Sequence, residues 1–178
     1  MQIIENAIPD GLLNVTKLYI EESNVPWYFL PNSASDKCND YLNYSFQHTP
    51  FVAGKILIQT YYDVTNSVAN MLKSKFDLND YYVDRLRWGM TTSIGKKFVN
   101  QAHIDTEIPH KTILFYIHDS DGETFFYNSK QEVIKKVMPK TNRAILFDGS
   151  VFHASSKPVK IPKRIVLNIN LIKKENKK

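Results

Sequence analysis

Two helices are predicted in the first 78 residues from the spacing of their apolar positions. Between about residues 56 and 75 apolar side chains recur every three or four positions, as on one face of an α-helix. A shorter helix is predicted over residues 11–22, with Asp10 as its N-cap. Residues 27–30 form a short extended apolar run, and the polar segment 32–50 is predicted as a loop.

The longer helix carries an aromatic and aliphatic stripe that could line a cofactor. More often such a stripe packs into a protein core, so we expect the helix to lie against a sheet. The stripe consists of Ile58, Tyr61, Tyr62, Thr65, Val68, Ala69, Leu72 and Phe76.

After Asn79 the pattern changes to short strands separated by turns. Strands are predicted over 81–88, 111–118, 123–127, 132–137, 143–147 and 164–172. The turn sequence 119–122, Asp-Ser-Asp-Gly, predicts that the second and third strands pair as a hairpin. Helices followed by strands, without βαβ alternation, indicate an α+β, mainly β fold with antiparallel sheets.

Length and composition narrow the class of protein. A chain of 178 residues suits one domain, which we divide into a helical support region (1–78), a strand-rich core (79–172) and a basic tail (173–178). The single cysteine, Cys38, excludes an intrachain disulfide and suits a reducing compartment. No apolar run reaches the roughly 20 residues of a membrane span, and the first residues lack a signal-peptide pattern, so we expect no membrane span and a cytoplasmic location.

The net charge of +5 comes partly from the tail, Lys-Lys-Glu-Asn-Lys-Lys. Such a tail could contact nucleic acid, but no aromatic residues alternate with the lysines. The favoured interpretation is a solvated terminus, and nucleic acid is not expected as a partner.

Three residues point to metal chemistry: His103, Asp105 and His153. In extended chain, residues i and i+2 point to the same side, so His103 and Asp105 could bind one ion together. His153 lies just beyond a predicted strand, where it could supply the third ligand. Two imidazoles and one carboxylate are the facial triad of non-haem Fe(II) oxygenases and leave coordination positions open.

Each of these residues also has an ordinary interpretation. His103 could be a loop residue, Asp105 a turn cap and His153 a surface residue. His110, seven positions after His103, is the main alternative ligand, whereas His48 and His118 are interpreted as structural or surface residues; the histidines number five in all.

Arg164 begins a strand in which it shares a face with Val166. An arginine on an apolar face is costly to bury unless an anion meets it, and the distal carboxylate of 2-oxoglutarate would do so as a bidentate partner. The alternative is an exposed edge arginine. Tyr116 and Thr124 could bind the same carboxylate, although Tyr116 could equally be ordinary core.

The motifs together resemble the Fe(II)- and 2-oxoglutarate-dependent dioxygenases, in particular the small prolyl 4-hydroxylase-like members. The resemblance spans about residues 85–172. It includes the H-x-D motif at 103–105, a strand at 113–118 similar to the family's "YLN" strand, and a hairpin at 122–126 similar to "GGETxF", with Asp121 in place of the first glycine. Its last parts are His153 and the segment 163–168.

The resemblance implies a double-stranded β-helix (jelly roll) with the N-terminal helices packed on the larger sheet. It implies that His103, Asp105 and His153 bind Fe(II), and that Arg164, with Tyr116 and Thr124, holds 2-oxoglutarate. O₂ would be the second co-substrate and ascorbate a supporting reductant. The tyrosine expected on the strand before H-x-D has no clear counterpart, and Trp88 is nearest to it in type. The segment 89–101 is longer than in the family and is a candidate for a substrate lid, a role that the sequence alone does not decide.

The substrate is the least determined part of this hypothesis. By analogy we expect hydroxylation of a peptidyl prolyl residue, with a free amino acid or small metabolite as the alternative. Two other classes stay open: a non-catalytic jelly-roll module that binds metal or ligand, and a cupin-like metal enzyme without an oxo-acid co-substrate. The size and the asparagine- and lysine-rich composition are similar to phage-encoded members, for which the location would be the host cytoplasm.

Overall fold

The computed structural model describes residues 1–22, 24–33 and 40–174, which form eleven strands, two α-helices and one π-helical turn. Cys38 lies outside the described residues. The helical elements are α1 (Asp10–Lys17), the π-helical turn (Leu18–Glu22) and α2 (Gln59–Lys75). The strands are β1 (Gln2–Ile4), β2 (Tyr28–Leu30), β3 (Ser45–Val52), β4 (Lys55–Ile56), β5 (Tyr81–Thr92), β6 (Lys111–Tyr116), β7 (Thr124–Tyr127), β8 (Val133–Val137), β9 (Arg143–Asp148), β10 (His153–Ser155) and β11 (Lys163–Lys173).

These strands form two antiparallel sheets. The larger sheet has the order β1-β9-β6-β11-β5-β3-β2, with β4 paired to β3, and the smaller has the order β10-β7-β8. A mainly β fold with helices before the core strands and antiparallel pairing is therefore confirmed. The arrangement is consistent with a jelly-roll-like fold.

The predicted hairpin between the second and third core strands is wrong. β6 pairs with β9 and β11 in the larger sheet, whereas β7 pairs with β8 and β10 in the smaller sheet. The turn at 119–122 thus carries the chain from one sheet to the other. β6 is buried along most of its length, and such a strand needs neighbours on both edges, which a local turn signal does not identify.

The N-terminal region differs from its prediction in two further ways. Residues 45–50, predicted as loop, belong to β3, which pairs with β5 and so extends the larger sheet. The region up to residue 78 therefore supplies four strands as well as helices. Asp10 does not cap α1, because the N-cap is Pro9 and Asp10 is the first helical residue. Its negative charge there still interacts favourably with the positive end of the helix dipole.

The predicted stripe of α2 packs on the larger sheet, as expected. Val68, Ala69 and Leu72 are fully buried in one cluster with residues of β5, β6 and β11. Trp88 lies in the same cluster, and its Nε1 donates a hydrogen bond of 2.9 Å to Thr65 Oγ1. Trp88 therefore faces the helix, on the side of β5 opposite the cavity described below.

A second cluster of buried side chains lies between the two sheets, and one end of this interior opens into a cleft. The cluster consists of Leu114, Tyr116, Phe126, Val137, Ile145, Phe147 and Val166.

Among the described residues, no helix has the length and apolar character needed to cross a bilayer. Of the predicted tail, Lys173 ends β11 and Lys174 donates its backbone N–H to Asp80 O at 2.8 Å; residues 175–178 lie outside the described part.

One buried lysine outside the cleft predicts a pH dependence of stability. Lys157 is fully buried, with Nζ 2.9 Å from the backbone oxygen of Tyr44 and 3.5 Å from the centre of the Tyr44 ring, and burial lowers its pKa from 10.5 to about 8. The folded chain therefore binds fewer protons than the unfolded chain between these pH values, so its stability should rise with pH across this window. From pH 7 to 9.5 we expect the free energy of unfolding to increase by about 2 kcal/mol more in the wild type than in Lys157→Met. Urea titrations of both proteins measure this, and equal pH slopes would contradict it.

Candidate metal centre and anion pocket

The backbone brings His103 and His153 face to face. The two residues form an isolated antiparallel bridge in which each N–H donates to the other's carbonyl, at 3.0 and 2.9 Å, and their ring centres are 4.8 Å apart. Asp105, two residues beyond His103, points into the same space. One ligand atom from each of the three residues lies within 4.8 Å of the others. The three predicted metal ligands are therefore together, although 50 residues separate the histidines.

Both imidazoles are arranged as neutral ligands. Burial lowers the pKa of His103, and burial, which outweighs the attraction of Asp105, lowers the pKa of His153 to about 4. The Nδ1 of each ring lies 3.3 Å from a backbone carbonyl, that of Gln101 or Val151. With Nδ1–H donating there, each Nε2 presents its lone pair to the shared space, which is the usual support for a metal-binding histidine.

Asp105 is held by an ion pair with Arg85 and by hydrogen bonds from three further side chains, all on two neighbouring strands. Its Oδ1 lies 2.9 Å from Arg85 Nη2 and 3.3 Å from Arg87 Nη2, and its Oδ2 accepts hydrogen bonds of 3.0 Å from the amides of Asn168 and Asn170. These four residues were not predicted as part of the site. Their sequence signal is the alternation Arg-x-Arg on β5 and Arg-x-x-x-Asn-x-Asn on β11, which places all of them on the inner face of the sheet.

These contacts keep the Asp105 carboxyl ionised. Burial by itself would raise the pKa of Asp105, but His153, Arg87, Arg85 and the Asn168 amide together hold it far below its ordinary value. A neutral pair of imidazoles with one fixed carboxylate is a donor set that suits Fe(II). The two arginines and two asparagines around Asp105 orient its carboxylate.

The second predicted cluster also converges. Arg164 Nη2 donates to Thr124 Oγ1 at 2.8 Å, and Tyr116 Oη lies 2.6 Å from the same hydroxyl. The guanidinium carbon of Arg164 is 5.4 Å from the centre of the Tyr116 ring. Arg164, Tyr116 and Thr124 come from β11, β6 and β7, so both sheets contribute to this pocket although β6 and β7 do not pair.

Arg164 is a buried cation without a carboxylate partner among the described residues. It is 4% exposed, and its Nε makes no hydrogen bond within the part of the chain described. It lines a cleft of about 680 Å³, including the open space at its mouth, together with His103, His153 and Thr124. An uncompensated buried guanidinium is costly unless an anion enters, and two of the three candidate metal ligands, His103 and His153, line the same cleft.

The remaining histidines lie elsewhere. His110 is buried, its Nδ1 is 2.7 Å from Ile108 O, and its ring lies so close to Gly149 that a Cβ there would be 2.3 Å from it. His48 packs edge-on against Tyr61, and His118 contacts the carbonyl of the next residue. None of the three belongs to the metal-ligand group found among the described residues.

The segment 89–101 does not have the form of a separate lid. Residues 89–92 end β5 and pair with β11, and Val99 bridges Ser156 beside the smaller sheet. Asn100 adds a backbone N–H bond of 2.9 Å to Ser155 O. Both ends of the segment are therefore held by the two sheets and form walls of the cleft.

The absence of a side chain at Gly122 leaves room for Arg164, so we expect a single added methyl group to lower both stability and anion binding. A Cβ at Gly122 would lie 2.7 Å from Ser156 O and 3.0 Å from Arg164 Cδ. Gly122→Ala should lower the free energy of unfolding by about 1–3 kcal/mol through overpacking, and weaken anion binding by displacing Arg164. Gly11→Ala is the control: nothing lies within 4 Å, and in α1 it should raise stability by at most about 1 kcal/mol. Equal urea midpoints for the two variants would contradict this assignment.

Comparison with known proteins identifies the fold. No protein-family model and no curated protein sequence matches the chain. Among solved structures it is similar to a prolyl hydroxylase from Trichoplax adhaerens bound to a peptide of hypoxia inducible factor, with 16% identity, a TM-score of 0.64, and coverage of 97% of this chain and 83% of that chain. It is also similar to a viral collagen prolyl hydroxylase from Paramecium Bursaria Chlorella virus-1 (14% identity, TM-score 0.63, coverage 98% and 96%). A 2OG-Fe(II) oxygenase from Burkholderia pseudomallei matches at 8% identity and a TM-score of 0.68, with coverage of 99% and 87%.

Proposed function

We infer the function of this chain first from its fold, which is similar to that of prolyl hydroxylases and 2OG-Fe(II) oxygenases. We propose that the protein is an Fe(II)- and 2-oxoglutarate-dependent dioxygenase that hydroxylates a C–H bond of its substrate, and that its two sheets form the double-stranded β-helix of a single catalytic domain. The observation that supports this most is the placement of two neutral imidazoles and one fixed carboxylate beside a buried arginine that lacks an acidic partner among the described residues.

The roles of the residues follow from their surroundings. His103, Asp105 and His153 would hold Fe(II), and Arg164 would bind the distal carboxylate of 2-oxoglutarate with help from the hydroxyls of Thr124 and Tyr116. When bound, iron, 2-oxoglutarate and O₂ together supply the oxidising power for C–H hydroxylation, with succinate and CO₂ as the other products. The chain itself contributes orientation of the ligands, a positive anchor for the co-substrate and an interior that limits water.

Succinate formation tests the proposal. The purified protein with Fe(II), ascorbate and 2-oxoglutarate should form succinate slowly without substrate, and Mn(II) should bind more tightly when 2-oxoglutarate is present. A crystal with Mn(II) and N-oxalylglycine, an inert analogue of the co-substrate, should show the analogue against Arg164. Mn(II) binding that is indifferent to 2-oxoglutarate, with no succinate, would instead favour the non-catalytic module.

For the substrate we propose a peptidyl prolyl residue, as in the prolyl hydroxylase that was solved with a peptide. A second candidate is a free amino acid or small metabolite, because the cleft is lined by arginines and hydroxyl groups as well as apolar residues. Incubation with proline-containing peptides and with free amino acids, followed by mass spectrometry for a gain of one oxygen atom, separates these two candidates.

A further inference from the structure

With the proposed metal and co-substrate bound, the cleft and the residues beside it would keep a net positive charge. The lining of the cleft includes two arginines, Arg87 and Arg164, and no aspartate or glutamate within residues 1–22, 24–33 and 40–174. In the function proposed above, Arg164 binds 2-oxoglutarate. Arg87 is then the cation that remains at the cleft wall.

Arg87 is only partly neutralised by its own neighbour. Asp105 Oδ1 lies 2.9 Å from Arg85 and 3.3 Å from Arg87, so one carboxylate serves two guanidinium groups as well as the metal. With metal and co-substrate bound, the three arginines and the ferrous ion would exceed the negative charges of Asp105 and 2-oxoglutarate by two. Arg85 does not line the cleft, whereas Arg87 does. An incoming anion would therefore meet Arg87.

The floor of the cleft beside Arg87 is open because residue 89 is glycine. Arg87, Gly89 and Thr91 share the inner face of β5, where successive side chains alternate. A Cβ at Gly89 would touch only Val166 Cγ1, at 3.8 Å, so the packing of the chain does not require a glycine here. A glycine inside a strand often marks the close approach of a ligand.

Polar atoms without partners lie around the same floor. Ser33 Oγ, Thr91 Oγ1 and Asn100 Oδ1 are buried, line the cleft and have no hydrogen-bond partner among the described residues. Buried polar groups are normally hydrogen-bonded, and exceptions need an explanation. A ligand with polar groups in this space would provide the missing partners.

We propose that the substrate carries a carboxylate group that Arg87 binds, with the rest of the molecule seated over Gly89. This inference rests on the proposed function and narrows its substrate class. The favoured source of the carboxylate is a free amino acid or another small carboxylic acid, so this inference selects the second of the two substrate candidates given above over the peptidyl prolyl residue. An acidic side chain of a peptide presents the same group.

Substrate-stimulated turnover of 2-oxoglutarate tests the inference. The protein is assayed for succinate with three sets of compounds: the free amino acids, the same amino acids as carboxamides, and blocked peptides with or without aspartate or glutamate. We expect at least one free acid to accelerate turnover about tenfold or more over its amide. In Arg87→Gln this preference should fall below about twofold, and Arg87→Lys should restore part of it.

Arg85→Gln is the matched control, because Arg85 also contacts Asp105, at 2.9 Å against 3.3 Å for Arg87, but does not line the cleft. Both arginine variants should alter Mn(II) affinity, but Arg85→Gln should keep the preference for the acid. Gly89→Ala retains the charge and fills the floor, so it should raise the KM for the acid about tenfold and leave the KM for the oxo-acid co-substrate unchanged.

The outcomes separate this inference from the proposed function. Acceleration by acidic peptides alone keeps the contact with Arg87 and assigns the carboxylate to a peptide side chain. If the amides accelerate turnover as strongly as the acids, or if none of the acids accelerates it, the inference is overturned. Succinate formation without substrate would still support an oxygenase in either case. Loss of the acid preference in Arg85→Gln to the same degree as in Arg87→Gln also overturns it.

Discussion

His103→Ala should lower succinate formation without substrate by more than about 100-fold and abolish tight Mn(II) binding, since it removes one of three ligands in a site whose supporting contacts alone are worth about 10–100-fold. The fold should survive, because the backbone bridge between residues 103 and 153 uses N–H and carbonyl groups that alanine retains. Succinate is measured by chromatography and metal affinity by Mn(II) titration.

Asp105→Ala should differ from His103→Ala in stability, although both should lose the metal. Removing the carboxylate leaves Arg85 and Arg87 without their shared partner, and breaking a buried ion pair in this way costs about 3–5 kcal/mol. His110→Ala is the control for the histidine variants and should retain Mn(II) binding, because His110 lies outside the ligand group. If succinate formation persists in both His103→Ala and Asp105→Ala, the metal assignment is wrong.

Arg164→Met should weaken the binding of 2-oxoglutarate by about 100-fold or more and at the same time stabilise the protein without ligands. The first effect follows because the loss of one partner of a buried charge pair costs about 2–5 kcal/mol of binding free energy. The second follows because Arg164 is 4% exposed and has no carboxylate partner among the described residues, so methionine removes an uncompensated buried charge. We expect a gain of about 1–2 kcal/mol in the free energy of unfolding.

Binding calorimetry and urea titration measure these opposite effects on the same protein. Arg164→Lys is the informative companion variant, since it keeps the charge but not the two-pronged geometry and should bind the co-substrate with intermediate affinity. Thr124→Val should weaken binding less than Arg164→Met, because it removes a hydroxyl that orients the arginine and leaves the charge in place. Unchanged affinity in Arg164→Met would favour a metal enzyme that uses no oxo-acid co-substrate.

Local patterns were informative where the physical signal is itself local. The stripe on α2 predicts which face of the helix is buried, and the alternation along β11 predicts which side chains share a face. Both predictions agree with the structure. The H-x-D spacing likewise predicts that His103 and Asp105 point the same way. A unique donor set such as two histidines and an aspartate is readable without the fold because few other side chains could replace it.

Strand pairing and the surroundings of the ligands were not readable in this way. The turn at 119–122 predicts a hairpin, yet the chain crosses there from one sheet to the other. The first part of β3 is predicted as a loop because its alternation of polar and apolar residues is weak and its partner β5 is distant in the chain. The contacts of Asp105 with Arg85, Arg87, Asn168 and Asn170 join three segments that are distant in the chain.

The chain alone thus specified the chemical types at the site, because metal and carboxylate binding demand particular side chains. Their convergence required the sheet register, which matches Arg164 to Thr91 and Asn168 to Arg87 and so depends on hydrogen bonds between strands about 70 to 80 residues apart. The same register places Gly89 between the pair Arg87–Asn168 and the pair Thr91–Arg164, so that the space above Gly89 lies between two arginines. Such a cavity forms where a strand lacks a side chain opposite larger residues of its neighbours. A short stretch of sequence does not show which residues those neighbours are.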